Sequence, residues 1–519
     1  MAFQASKGFK RMRRFKLRQL AGVFLLLSGL ASTQCGAQAV TGSLVDLVNS
    51  GQYAFNRLEQ LSAVANQATY NQLTLPTQTR AAPCNVQQTG PSATCPQDVY
   101  KVFDNLRELV QTAEELLGRG PRQYSLRLDA QGLGFALRWT AAEELSAPGT
   151  ASTGFASNQL ASLMSRITAL RFGARGFSIA GLMPVGVSDR ALTAQDSRSL
   201  AAGASGDTSV PDIASRWGGF LDGSFGWGNR APSEVEDAFN FDGTEVTLGV
   251  DYRFTSRLVL GAIAGYSNQR IDFDSSKSIV DGGIRSHGFS LSAYGLYEWD
   301  GPYVSASLGV QRLLHDSTRK ITYPSFNPSI ESTDATARGS THSTTFTGTF
   351  NAGWSLNHRA FGFEPYLHLE YRDIGIDSFR ESSVNNSGSQ AGLPAGFDFD
   401  VADQSIKSID AAVGVRFQYT FTPSFGVITP YAKAEYHHQF ENNPFSTRTT
   451  YDGLLDSSNP SGAVFDLPSD KPDNSFYVVA GGFSLVLKHG VQGFLQYQAV
   501  ESLDLLTNHA ITGGIRGEF

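Results

Sequence analysis

A chain of 519 residues with 53 glycines, 35 phenylalanines, 18 tyrosines and only 17% charged side chains is too aromatic and too weakly charged to be disordered. Its length allows several domains, or one large barrel with an appendage. The net charge is −7, and the first 39 residues hold seven bases and no acid, so the chain without them carries −14 and is a poor match for nucleic acid.

The chain begins with "MAFQASKGFKRMRRFKLRQL", then the apolar run "LAGVFLLLSGLA", then small residues at Ala37 and Ala39. This order matches a secretory signal, residues 1–39, with cleavage expected after Ala39. The apolar run is too short to span a bilayer. A basic leader explains Arg13-Arg14 better than twin-arginine export does, and Gln34 before Cys35 is a poor fit to a lipoprotein. Cleavage would leave Cys84 and Cys95, which in an exported chain predict one disulfide. A metal site there is the weaker reading, since all nine histidines lie at position 287 or later.

Residues 40–150 read as mainly helical. "SLVDLVNSGQYAFNRLEQLSAVANQATYNQL" has helical spacing, with Leu44, Leu47, Val48, Phe55, Leu58 and Leu61 on one face. After the cysteine loop, "DVYKVFDNLRELVQTAEELLGRG" forms a second amphipathic helix ended by Gly118 and Gly120. "YSLRLDAQGLGFALRW" reads as a hairpin. Residues 151–213 hold a further helix, 156–175, and a polar linker. This helix has an apolar stripe of Leu160, Leu163, Met164, Ile167 and Leu170, flanked by Arg166, Arg171 and Arg175.

From residue 214 to 519 the period changes to two. Twelve runs alternate: 216–228, 244–254, 257–273, 284–299, 302–323, 338–357, 361–378, 404–421, 425–441, 475–488, 490–502 and 507–519. One face carries residues such as Val246, Leu248, Val250, Phe346, Phe350, Val413 and Phe417. The other carries Asp251, Arg253, Arg312, Glu370, Arg372, Arg416, Lys433, Glu435, Arg516 and Glu518. Tight connections ("FTSR", "DGP", "HRA", "TPS", "KHG") alternate with long polar ones, and aromatics such as Phe254, Trp299, Tyr303, Tyr419 and Phe421 mark strand ends. An even number of strands, short turns at one end and long loops at the other describe a closed outer-membrane barrel with a wet or plugged lumen. The expected fold class is therefore an all-β, twelve-stranded, antiparallel up-and-down membrane barrel after a mainly α-helical region. The last run closes it against the first, and Phe519 sits at the interface.

"GTEVTLGVDYRFTSRLVLGAIAGYSNQRIDF", "HGFSLSAYGLYEWDGPYVSASLGV" and the final Phe519 resemble the translocator barrel of type V autotransporters over about residues 210–519. "NQLASLMSRITALRFGARGFSIAGL" resembles the helix and linker preceding that barrel in some members. The resemblance implies Sec export, a helix through the lumen, an exported N-terminal region, and Phe519 as part of the signal read by the barrel assembly machinery. Two features depart from it. Residues 40–150 show no repeat, and no Asn-Asn pair lies in 156–175, so self-cleavage there is not expected. Arg166, Arg171 and Arg175 are candidate lumen residues facing Glu370, Glu435 and Glu518, or else a solvated helix face.

No G-x-S-x-G, H-E-x-x-H, C-x-x-C, phosphate loop or G-x-G-x-x-G stands in a usable context. His437 and His438, and likewise His342 and Ser343, are strand neighbours that point apart. The expected role is a non-enzymatic autotransporter barrel, monomeric in outer-membrane lipid. It would need no cofactor or metal and would display a short N-terminal region at the cell surface. The alternatives are a channel plugged by the N-terminal helix and a barrel-borne hydrolase.

Overall fold

The computed structural model describes residues 40–76, 81–149, 152, 163–164, 166–167, 176–178 and 216–516, the last apart from 278, 442, 453, 455–462 and 488–491. The signal segment, Arg171, Arg175, Glu518 and Phe519 lie outside the described residues.

Alternation decides the architecture. Twelve strands, β1 (Trp217–Arg230), β2 (Phe239–Arg253), β3 (Leu258–Phe273), β4 (Gly282–Glu298), β5 (Pro302–Tyr323), β6 (Thr333–Trp354), β7 (Phe361–Ile376), β8 (Gln404–Tyr419), β9 (Gly426–Glu441), β10 (Ser475–Leu487), β11 (Gln492–Glu501) and β12 (Leu506–Arg516), pair antiparallel in chain order. The barrel closes where β12 meets β1, from Leu506↔Arg230 to Gly513↔Gly223. Closure gives every strand two neighbours, as a lipid environment requires.

One face of each strand looks outward. On β6 the outward apolar residues run from Phe346 through Phe350 to Trp354, all exposed. Nine residues span about 26 Å along the strand at 3.3 Å each, close to what a tilted transmembrane strand needs. Aromatic pairs ring the short-turn end, including Trp217–Tyr252 (4.9 Å), Tyr252–Phe254 (4.8 Å), Tyr297–Trp299 (4.6 Å) and Tyr419–Phe421 (4.7 Å). On β5 the outward face is apolar at Leu308 and Val310 and, Leu314 apart, polar from Arg312 onward. Arg312 is thus an outward residue paired with Asp377, not a lumen residue as its charge suggests in the sequence. Period two fixes its side: it shares parity with Leu308, and only its height above the apolar belt makes a charge tolerable there.

β5 and β6 continue well past the belt. Their far ends form a rim with short strands folded from the long polar connections, Phe379–Asn385, Phe399–Val401, Ser446–Tyr451 and Phe465–Pro468. Onto this rim pack α1 (Ser43–Asn49), α2 (Arg57–Thr74), α3 (Gln97–Leu116) and α4 (Ala130–Trp139). The first helical stretch is broken at Ser50–Asn56, where Asn56 caps α2 with Glu59 in a capping box. Residues 130–139 form a helix rather than half of a hairpin: the Asp129 carboxylate accepts from the Gly132 amide, and Gly134 lies where a Cβ would meet the Glu59 carboxylate at 3.2 Å. The glycines that suggest a turn serve close helix packing. Cys84 and Cys95 are disulfide-bonded, with Cα atoms 5.1 Å apart.

Candidate functional site: the lumen and the docked helical region

Helices and rim share one hydrophobic core. Leu58, Phe103, Leu106 and Leu133 are packed in a single cluster with Ile321 and Tyr323 of β5, Ala335 and Ala337 of β6, and Phe397, Phe399, Tyr451 and Phe465 of the rim. Polar contacts fix the register. The Tyr451 hydroxyl donates to Asn66 Oδ1 (2.8 Å), Asn327 Nδ2 donates to the Ser125 carbonyl (2.8 Å), and Asn105 Nδ2 donates to the Ala395 carbonyl (2.8 Å). Fully buried Arg319 donates to Glu381 (2.9 Å) and to the carbonyls of Phe397 (3.2 Å) and Trp139 (3.4 Å). Arg138 bonds Asp237 and lies 3.8 Å from Glu143. Both carboxylate oxygens of buried Glu143 and Glu144 have no hydrogen-bond partner among the described residues. Burial raises the Glu144 carboxyl to about 8 and, with Asp237 beside it, holds Glu143 well above the ordinary range.

Below the helices the chain must reach the opposite end, because β1 begins at Trp217 beside Tyr252 and the short turns. Its described residues mark the route. The Ser152 hydroxyl lies 2.8 Å from Ser343 Oγ, and its carbonyl accepts from Gln311 Nε2 (3.1 Å). Further along, helical Leu163 and Ile167 pack among the inward side chains Phe220, Val259, Ile263, Tyr294, Leu296 and Tyr303. Arg166, completely buried between them, donates through Nε (2.8 Å) and Nη2 (2.6 Å) to Asp251 Oδ2. Tyr294 Oη donates to the same oxygen (3.0 Å), and the guanidinium sits 5.0 Å from the Phe220 ring centre. Residues Gly176–Ser178 then pair parallel with Gly218–Phe220 of β1.

Arg166 therefore faces Asp251, not Glu370 or Glu435. Those two are satisfied within the wall: Glu370 by Arg372 (2.5 Å), and Glu435 by Lys433 (2.9 Å) and the Tyr366 hydroxyl (2.7 Å). In both cases a charge two residues away on the same strand is the partner, a pairing that sequence distance could have signalled.

His437 and His438 point apart: the first bonds Asp410 and the second Ser475. His342 and Ser343 also diverge, but Ser343 meets a histidine that adjacency does not reveal, His315 of the neighbouring strand, at 2.8 Å. Its Nδ1 faces Ser286 Oγ (2.7 Å) where a hydrolytic triad would have a carboxylate, and Ser152 covers the pair.

The autotransporter β-domain family matches residues 219–498, more than half of the chain. The chain belongs to this family. It is an autotransporter β-barrel of the bacterial outer membrane. Among solved structures it is similar to the translocator domain of NalP from Neisseria meningitidis, at 13% identity over 62% of this chain and 93% of that one, with a TM-score of 0.42. It is also similar to the Bordetella BrkA β domain, at 13% over 59% and 100% with a TM-score of 0.37. The transport unit of AIDA-I from Escherichia coli gives 13% over 60% and 94%, with a TM-score of 0.35. No curated protein sequence matches.

Proposed function

We propose that this autotransporter barrel carries its own short N-terminal region through its lumen and keeps it docked on the external rim. Export by the Sec route and insertion by the barrel assembly machinery, with Phe519 in the recognised terminal segment, complete the reading. One observation carries it. Arg166 is paired to the lumen wall at the short-turn end, while residues 40–149 pack on the long-loop end. A chain threaded between those points has crossed the barrel. In outer-membrane barrels the long loops face outward, so the helices lie at the cell surface and the lumen segment is a plug. The helices bury most of their apolar side chains in the core shared with the rim.

The test is labelling of intact cells with a membrane-impermeant maleimide. A cysteine introduced at exposed Gln52 should label as strongly as one at Ser389 in a long loop. One at Arg257, in a short turn, should label only after the envelope is opened. Protection of Gln52→Cys in intact cells, with Ser389→Cys accessible, would overturn surface display.

A further inference from the structure

His368 and Glu370 of β7 and Asp410 of β8 converge on the inner wall, all buried. Glu370 and Asp410 are cross-strand partners, and His368 lies one inward step along β7. A register shift between Ile409 and Asp410 in the β8–β9 pairing puts an extra residue in the ladder at this point, the kind of irregularity that re-aims a side chain. One ligand atom from each residue falls within 4.8 Å of the others. His368 Nε2 stands 3.6 Å from Glu370 Oε2, near the ligand–ligand edge of about 3.4 Å for a tetrahedral ion with bonds of about 2.1 Å.

The surroundings prepare each atom. Asn351 Nδ2 donates to Ser305 Oγ (3.2 Å), which turns its Oδ1 toward His368 Nδ1 (2.6 Å). With its proton on Nδ1 toward Asn351 Oδ1, His368 turns the Nε2 lone pair to the carboxylates. An imidazole held this way is the arrangement that supports metal ligation. His437 Nδ1 donates to Asp410 Oδ1 (2.8 Å), and buried Asp410 Oδ2 has no hydrogen-bond partner among the described residues. Arg372 Nε holds Glu370 Oε1 at 2.5 Å, and its Nη2 reaches Oε2 at 3.2 Å. Two carboxylates and a neutral imidazole bring two negative charges; Arg372 faces Glu370 and the His437 ring faces Asp410.

We propose that His368, Glu370 and Asp410 bind one divalent transition-metal ion of the Zn(II) class, with an open coordination position toward the lumen. One nitrogen and two oxygens suit a borderline ion rather than Ca(II) or Mg(II), which take oxygen ligands. The ion would fasten β7 to β8 at the upper part of the apolar belt.

The experiment uses the tag-free full chain, folded in detergent and stripped with a chelator, with heat-modifiable gel mobility as the check on folding. Zn(II) is titrated calorimetrically and Co(II) by its visible absorption. One ion per chain is expected, with the intense absorption of a low-coordinate Co(II) site. His368→Ala and Asp410→Asn should each weaken binding by about a hundredfold, and His358→Ala, exposed beside a short turn, should leave it unchanged. Asp410→Asn preserves volume and decides the matter if His368→Ala does not insert. No binding by the folded wild type overturns the proposal. So does binding that both variants retain, which would place the ion elsewhere on the surface.

Discussion

Replacing Asp251 by asparagine removes the only anion that the fully buried Arg166 touches among the described residues, at nearly constant volume. Stripping one partner from a buried ion pair costs about 3–5 kcal/mol, because the other charge stays buried without compensation. Here the loss includes two charge-assisted hydrogen bonds and the oxygen that Tyr294 shares. That energy corresponds to about 10²–10⁴ in the ratio of seated to released lumen segment. The assay is single-channel conductance of the full chain in planar bilayers. Asp251→Asn and Arg166→Gln should each raise the open fraction. The double variant should fall well short of their combined effect, with a coupling of more than about 1 kcal/mol. Additive effects, or wild-type conductance in the folded Asp251→Asn protein, would refute the idea that this pair seats the segment.

The rim acids make docking pH-dependent. Glu144 at about 8 and Glu143 above the ordinary range favour their protonated forms in the docked state, among Arg138, Arg319, Asp237 and Glu381. Their contribution is complete below the ordinary value of 4.5 and is lost as pH rises through about 8. Limited proteolysis of residues 40–149 should therefore be faster at alkaline than at mildly acidic pH, and Glu144→Gln should flatten the profile. Leu308→Arg, in the outward belt, should cost about 2–4 kcal/mol and lower the temperature of the gel-mobility shift, whereas Thr322→Arg, on the same face above the belt, should change it little. Replacing both Cys84 and Cys95 by serine should destabilise the helical region by about 2–3 kcal/mol, seen as earlier loss of helical signal with the barrel unaffected.

The barrel was legible because period two survives wherever one side of a strand meets lipid. The twelve alternating runs differ from the observed strands by a few residues at their ends, and the exposed Val246, Leu248 and Val250 are the face their spacing indicates. Arg312 shows the limit: parity assigns a side, but charge invites the wrong side where a strand leaves the membrane. The rim strands carry no such signal, since Phe399–Val401 and Phe465–Pro468 are too short for a period and owe their conformation to neighbours. The lumen contacts were half legible. Asp251 and Arg166 each stand out as charges in apolar surroundings, but their pairing depends on where the threaded segment stops. The His315–Ser343 contact and the convergence of His368 with Asp410 join residues 28 and 42 positions apart, brought together only by strand register.

The shared core has a consequence for timing. Residues 40–149 lack Ile321, Tyr323, Phe399 and Tyr451 until the strands that bear those side chains are in place. Before that, the helices face water with an unfinished interior, and burial of apolar surface gives them little reason to become rigid. On the proposed route, such a segment stays slack enough to thread through a pore and sets firmly only against the far rim. On that route, completing the interior is downhill and requires both parts on the same side, so it would oppose backsliding and make the barrel both passage and ratchet.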